Sequence, residues 1–415
     1  MRFASLLLFF ASLLPAHAAY AGEPEHVTLP EILSRAASHP SLLIGEAEIA
    51  RREAAVRLAG ERGPTTVAIE AENAGGRFPG FSESEATIAL KRPLLDGRRN
   101  RAAREVARAD LDQARQAARN RLWLITSAAQ TAFHRAIVRD ELERTASEAV
   151  YLAERGLDAA RARVEAGAAP GSEILKAQVE LERARVERER ASSQVRESRN
   201  ELARAVGQAE SPLLCPVGSL GDDISLPGRE ELIESMLAFH PDLRELDAAE
   251  NHRKARVLAA DAGGKPIWAA GGGFRRFQED DRHTFVIELE AELPDRRTVR
   301  REQLDLAGEG RRIEAERAAR RLDLEHQIDG QITRFNGAKT SVERLGRGVL
   351  PDTRRLMEMA LEAYRLGRAD QLEVIEAQKA HLDSRREHIE ALAELYEAAD
   401  AIENLCGICL VGEKH

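Results

Sequence analysis

A mainly helical chain, duplicated within itself and carrying a minor β portion, is the fold class this sequence predicts. Three observations carry that reading. The second half repeats the first about 200 residues later. Glu31-Ile32 with His39-Pro40-Ser41-Leu42 returns as Glu231-Leu232 with His240-Pro241-Asp242-Leu243. Gly167-Ala168-Ala169 followed by Glu173-Ile174-Leu175-Lys176-Ala177-Gln178 returns as Gly367-Arg368-Ala369 followed by Glu373-Val374-Ile375-Glu376-Ala377-Gln378. Ala, Arg, Glu and Leu dominate while aromatic residues make up only 4%, a composition that favours long helices over a thick core. Four short segments instead alternate apolar and polar residues with period two, as strands do.

The elements follow in order. Residues 1–21 read as a secretory signal: Arg2 is the charged start, Leu6 to Leu14 a short apolar run, and Ala16-His17-Ala18 and Ala19-Tyr20-Ala21 are small-x-small cleavage sites. Residues 22–207 form the first repeat. Thr28 with Glu31 is a capping signature, and the helix it starts is expected to stop at about Gly63-Pro64. Val67, Ile69 and Ala71, then Ala86, Ile88 and Leu90, mark two strands, with turn signals at Asn73-Ala74-Gly75-Gly76 and Pro79-Gly80 between them. From Arg98 to Ala169 there is no proline, so one very long helix or two stacked helices are expected. Pro170-Gly171 breaks this run, and a second helix covers about Ser172 to Val206.

Residues 208–228 are a Pro/Gly-rich connector, and 229–415 form the second repeat. Its strands are expected at Ile267 to Phe277 and His283 to Leu293. In the latter, Phe285, Ile287, Leu289, Ala291 and Leu293 point one way, while Glu288, Glu290 and Glu292 point the other, toward water. Helices follow at about Arg297–Arg347, Pro351–Leu366 and Ala369–Asn404.

Several function classes are excluded. A net charge of -9, with no cluster of Lys/Arg among stacking aromatics, argues against nucleic-acid binding. There is no Walker loop, no HExxH and no serine nucleophile elbow, so no catalytic residue, cofactor or metal site is expected. His381 and His388, two turns apart on one helix, read as an ordinary helix face. Cys406-Gly407-Ile408-Cys409 has no partner motif to complete a zinc site, and it and Cys215 read as small apolar positions.

The four strands pose a problem. Each is long enough to cross a bilayer when tilted, and each alternates as outer-membrane strands do. An open sheet in lipid leaves its edges unsatisfied, so several chains would have to pool their strands. The alternative is a small soluble β-subdomain packed on the helices.

These residues resemble the TolC-type outer membrane factors, the exit ducts of tripartite efflux pumps. The likeness covers about residues 27 to 407 and rests on motifs in order. These are the duplicated His39-Pro40 and His240-Pro241, the Leu95-Asp96-Gly97-Arg98-Arg99 junction, Arg163-Val164-Glu165-Ala166-Gly167, Val349-Leu350-Pro351, and Ala363-Tyr364-Arg365-Leu366-Gly367 through Glu376-Ala377-Gln378. Glu72-Asn73-Ala74-Gly75-Gly76 and Glu83-Ser84-Glu85-Ala86-Thr87 resemble the cobalt–zinc–cadmium branch, although that branch carries Gly-Gly-Lys-Arg where Asp96-Gly97-Arg98-Arg99 stands here.

The resemblance implies a homotrimer in the outer membrane, a twelve-stranded barrel built from four strands per chain, and a periplasmic α-helical tunnel. It implies a periplasmic adaptor protein and an inner-membrane transporter as partners, and metal cations as the exported substrate. The tips Gly167, Ala168, Ala169, Pro170, Gly171 and Ser172, and Gly367, Arg368, Ala369 and Asp370, would meet the adaptor. Glu173, Tyr364, Arg368, Glu373 and Glu376 would form the periplasmic mouth, with Ala369 standing where the family has a linking Arg. Glu70, Glu72, Glu288, Glu290 and Glu292 would line the barrel lumen. Other readings are a helical-hairpin adaptor or structural protein of the periplasm, or a duct for drug efflux or type I secretion.

Overall fold

The computed structural model describes residues 25–61, 63–73, 84–94, 96–208, 214–221, 223–279, 281–408 and 410. The signal segment, the Pro79-Gly80 turn and Cys409 lie outside the described residues.

The first half opens with β1 (Glu25–Val27), α1 (Leu29–Ala36) and α2 (Leu42–Leu58). Glu31 accepts a hydrogen bond from the Thr28 backbone at 2.8 Å, completing the expected cap. One helix was expected to Gly63-Pro64; two form, because Pro40 offers no N–H and disfavours helical geometry in His39. The second half repeats the break between α5 (Arg229–Phe239) and α6 (Pro241–Gly263). The repeated histidine has a visible purpose. His39 Nδ1 accepts the Ser41 N–H at 3.1 Å, and His240 Nδ1 accepts the Asp242 N–H at 3.2 Å. Each imidazole satisfies an orphan donor at a helix start.

The strands β2 (Thr66–Glu72), β3 (Glu85–Pro93), β5 (Ile267–Phe277) and β6 (Arg282–Glu292) form one antiparallel sheet in the order β2-β3-β5-β6. The two repeats therefore meet at β3–β5, and β2 and β6 are open edges. A further pair, β1 with β4 (Leu214–Pro216), is parallel and lies partly in the expected connector. Three-residue strands show no readable alternation, but Val27 and Leu214 are buried in the core.

Below the sheet run α3 (Gly97–Glu165), 69 residues long, and α4 (Ser172–Ala205). The second half supplies α7 (Arg296–Arg344), α8 (Leu350–Arg365) and α9 (Gln371–Cys406). α7 and α8 do not separate; a π turn at Leu345–Val349 joins them. Pro351 cannot donate to the carbonyl four residues earlier, so the register slips and Leu350 N–H donates to Leu345 O instead. No helix among the described residues is long and apolar enough to cross a membrane.

The cores sit midway down the helices. One is built around Met236, Leu324, Ile328, Phe335, Leu395 and Ile402. Another is built around Val27, Ile32, Phe133 and Leu202. A buried polar link joins the halves: His134 Nδ1 on α3 lies 3.0 Å from both carboxylate oxygens of Asp400 on α9, and Gln130 donates to Asp400 at 2.9 Å. Cys215 and Cys406 are buried, and burial pushes the Cys406 thiol up to about 11.

Candidate functional site

Two regions hold the residues singled out by sequence: the hairpin tips and the sheet. At the tips, α3 and α8 end the same way. Gly167 and Gly367 adopt φ of +68° and +72°, a left-handed geometry that side chains with a Cβ resist. Ala168 N–H donates to Arg163 O, and Arg368 N–H donates to Ala363 O, both at 2.8 Å. Gly167 N–H and Gly367 N–H close the inner bond to Val164 O and Tyr364 O at 3.0 Å. This is the paired-bond helix stop in which glycine follows the last turn. Asp370 then caps α9 by accepting the Glu373 N–H at 2.9 Å.

The two tips are tied together. Tyr364 Oη donates to Glu173 Oε2 at 2.9 Å, and Gln371 Nε2 donates to Glu173 O at 2.9 Å. The Arg163 guanidinium sits 4.4 Å from the centre of the Tyr364 ring. It donates to Tyr364 O at 3.0 Å and to Ala369 O at 3.4 Å. Burial and the adjacent Glu173 carboxylate push the Tyr364 hydroxyl up to about 12, so it stays a hydrogen-bond donor at neutral pH.

Of the five expected mouth residues, the structure brings Glu173 and Tyr364 into contact. Arg368, Glu373 and Glu376 are exposed. The arginine against the tyrosine is Arg163, from the opposite repeat. Arg163 stands in the Arg163–Gly167 motif, but the sequence alone assigns it no role. The signal was weak, because a contact across 201 residues has no local pattern. Pro170, Gly171 and Ser172 are exposed, and Ala168 is exposed with its carbonyl accepting from Arg163 at 3.4 Å. Ala169 and Ala369 are half-buried between the tips.

In the sheet, the register puts Glu70, Glu72, Glu288, Glu290 and Glu292 on one face, with Glu85. That face is not bare. Lys91 Nζ lies 2.7 Å from Glu288 and 3.7 Å from Glu290. Arg275 Nη1 lies 3.1 Å from Glu85 and 3.7 Å from Glu72. These cations come from strands paired only in the folded sheet, so the period-two reading of a single strand missed them. The opposite face is apolar and uncovered over its middle, with Arg92 near the helix end and Arg276 and His283 at the other: Ile69 is 75%, Phe285 85% and Ile287 90% exposed. Phe274 packs edge-on against Phe285 at 5.8 Å there.

Residues 33–208, which hold one sheet half and one hairpin, match the family model of the outer membrane efflux protein. Over these residues the chain is similar to that family. The cobalt-zinc-cadmium resistance protein CzcC of Cupriavidus metallidurans is 24% identical over 277 residues, spanning 66% of each chain. The chain thus matches just under two thirds of that relative's length. Among solved structures, the outer-membrane channel OprN superposes with a TM-score of 0.71 at 17% identity, covering 91% of this chain and 89% of the other. The outer membrane protein VceC from Vibrio cholerae gives 0.71 at 16% identity, covering 91% and 96%. The fold of these outer-membrane channels, long helices carrying a small sheet, is therefore shared over 91% of this chain.

Proposed function

We propose that three copies of this chain form a passive exit duct in the outer membrane, worked by an inner-membrane transporter through a periplasmic adaptor protein. One observation carries the reading: a four-stranded sheet with two open edges, an apolar face exposed over its middle and a charged face opposite. Such a sheet is unstable as an isolated unit in water, and its edges are forbidden in lipid. Joining β2 of one copy to β6 of the next removes every edge, turns the apolar face to lipid and encloses the charged face around water.

The helices then continue the duct into the periplasm, and the paired tips form its far end. Exposed Glu373 and Glu376, repeated by symmetry, favour cations there. Together with the similarity to CzcC, they support metal cations as cargo. The tips from Gly167 to Ser172 and from Gly367 to Leu372 are the adaptor contact. The driving energy comes from the transporter.

The test is fractionation and gel mobility. The expected result is a protein in the outer-membrane fraction that runs as a trimer until heated in detergent. A soluble monomer in the periplasm would overturn the reading. In a deletion strain, sensitivity to divalent metals is expected; sensitivity confined to drugs would reassign the cargo while leaving the duct.

A further inference from the structure

The junction between sheet and helices holds a groove that the duct does not use. β3 and β5 reach this level side by side, and Leu94 N–H donates to Trp268 O at 2.7 Å. The groove, about 890 Å³, lies between the start of α3 and the end of α6, below these two residues. Its upper wall is apolar: Leu94 and Trp268 are 50% and 46% exposed, and Leu258 of α6, 55% exposed, lies lower beside the cations. The strand alternation puts Trp268 on the same sheet face as Phe274 and Ile287, which is the face assigned to lipid. Its lower wall carries Arg98, Arg101 and Lys265.

The charges in this groove are unbalanced in their bonding. Each acid is already engaged. Asp96 accepts the Arg98 N–H at 2.9 Å as the α3 cap. Glu105 pairs with Arg108 at 2.8 Å, and Asp261 accepts from Gln303 Nε2 at 2.9 Å. The side chains of Arg98, Arg101 and Lys265 have no ion-pair partner among the described residues.

The pattern also runs against helix electrostatics. α1, α4, α5, α6, α8 and α9 each place an acid in the first turn, where the helix dipole is positive. α2, α3 and α7 have none; of these, α3 and α7 carry Arg98-Arg99 and Arg296-Arg297 just after the capping carboxylates of Asp96 and Asp295. These are the two helices that descend from the sheet. Beside the second junction, Leu293 is 75% exposed above Arg296, Arg297, Arg300 and Arg301, all exposed. Both halves thus cluster cations at one level, of which Arg99 is paired with Asp96 at 3.6 Å.

We infer that this groove binds an anionic phospholipid of the leaflet facing the periplasm, with its phosphate against Arg98, Arg101 and Lys265 and its acyl chains against Trp268 and Leu94. The inference rests on the membrane reading of the sheet. A tryptophan at the edge of an apolar band and cations just beyond it match the order of a lipid: hydrocarbon, interface, charged headgroup. The groove lies under the central pair β3–β5, so joining the β2 and β6 edges between copies leaves it open to lipid.

The test reads Trp268 fluorescence in a Trp123→Phe background, with the trimer in phosphatidylcholine bilayers. A small fraction of brominated phosphatidylglycerol or of brominated phosphatidylcholine is the quencher. Brominated phosphatidylglycerol is expected to quench with an apparent affinity about tenfold or more above that of brominated phosphatidylcholine, since each surface cation contributes several-fold. The R98Q/R101Q/K265Q variant should quench equally with both lipids. R101Q alone, expected to lose part of the preference, serves if the triple variant fails to assemble. Equal quenching by both lipids in the parent overturns this inference while leaving the barrel intact. Absence of quenching by either lipid overturns the membrane reading and the groove with it. A preference abolished by an equal concentration of inorganic phosphate marks a free-phosphate site and also overturns it.

Discussion

Arg163 of the first hairpin sits over the ring of Tyr364 of the second, its guanidinium carbon 4.4 Å from the ring centre, while the Tyr364 hydroxyl donates to Glu173. One aromatic ring therefore connects an arginine and a glutamate that both belong to the opposite repeat. The contact holds the two tips of one chain in register, at the end of hairpins whose own cores are thin.

Breaking that contact should loosen the tips without unfolding the protein. Tyr364→Phe removes one hydrogen bond to a carboxylate, which costs about 1.5–3 kcal/mol. Arg163→Ala removes a cation–π contact of about 1 kcal/mol together with its bonds to carbonyls. In both variants, amide hydrogen exchange should quicken in residues 163–177 and 362–378, with the mid-helix cores unchanged. Exchange at the tips equal to the parent's would show that the triad carries no energy there.

Glu373→Gln with Glu376→Gln should lower cation preference and weaken block by divalent cations in planar-bilayer recordings. Trimer assembly should be unaffected, since exposed carboxylates contribute little to folding. The Glu288→Gln, Glu290→Gln control should shift the barrel toward anions, because Lys91 loses its partners at 2.7 and 3.7 Å. If only the barrel variant alters selectivity, the filter lies in the sheet and the mouth assignment fails.

Ile287→Arg should cut outer-membrane yield sharply. Ile287 is near the middle of β6 and 90% exposed, so the substitution places charge at mid-bilayer at about 2–4 kcal/mol. Glu290→Gln on the opposite face should insert normally. Equal yields of trimer from Ile287→Arg and the parent would contradict the assignment of the faces.

His381 should make the helical region acid-sensitive. It is 7% exposed, and burial holds its imidazole below the usual histidine value of 6.5. Glu148 of α3 and Glu358 of α8 oppose that shift, while Arg385 on its own helix and Arg354 of α8 reinforce it; Thr353 is within 3.5 Å. Because the folded protein binds this proton less readily than the unfolded chain, stability should fall as pH drops from 6.5 through the lower folded value. His381→Gln should flatten this slope in thermal melts across pH 5 to 7, about the range in which an ordinary histidine titrates. A variant that retains the full slope would place the acid sensitivity elsewhere.

The sequence by itself determined the element order, because each element depends on neighbours in the chain. A long helical run after Arg98 follows from the absence of proline, and the tip turns follow from Gly167 and Gly367; that the run is one 69-residue helix rather than two stacked ones is a feature of the fold. The strand Ile267–Phe277 was legible to the residue, and the alternation of its partner β6 was legible to within one. The break at His39-Pro40 departs from the single helix expected from Thr28 to Gly63-Pro64, because proline disfavours helical geometry in the residue before it.

Tertiary structure alone decided the rest. The parallel pair β1–β4 joins residues nearly 190 positions apart in three-residue strands too short to carry a period. Lys91 and Arg275 neutralise the glutamate face only because β3, β5 and β6 lie side by side. Arg163 reaches Tyr364 only because two hairpins end at the same height. Periodicity records which face of an element is apolar, whereas ion pairs and stacking depend on which distant element arrives opposite, and no local pattern encodes that arrival.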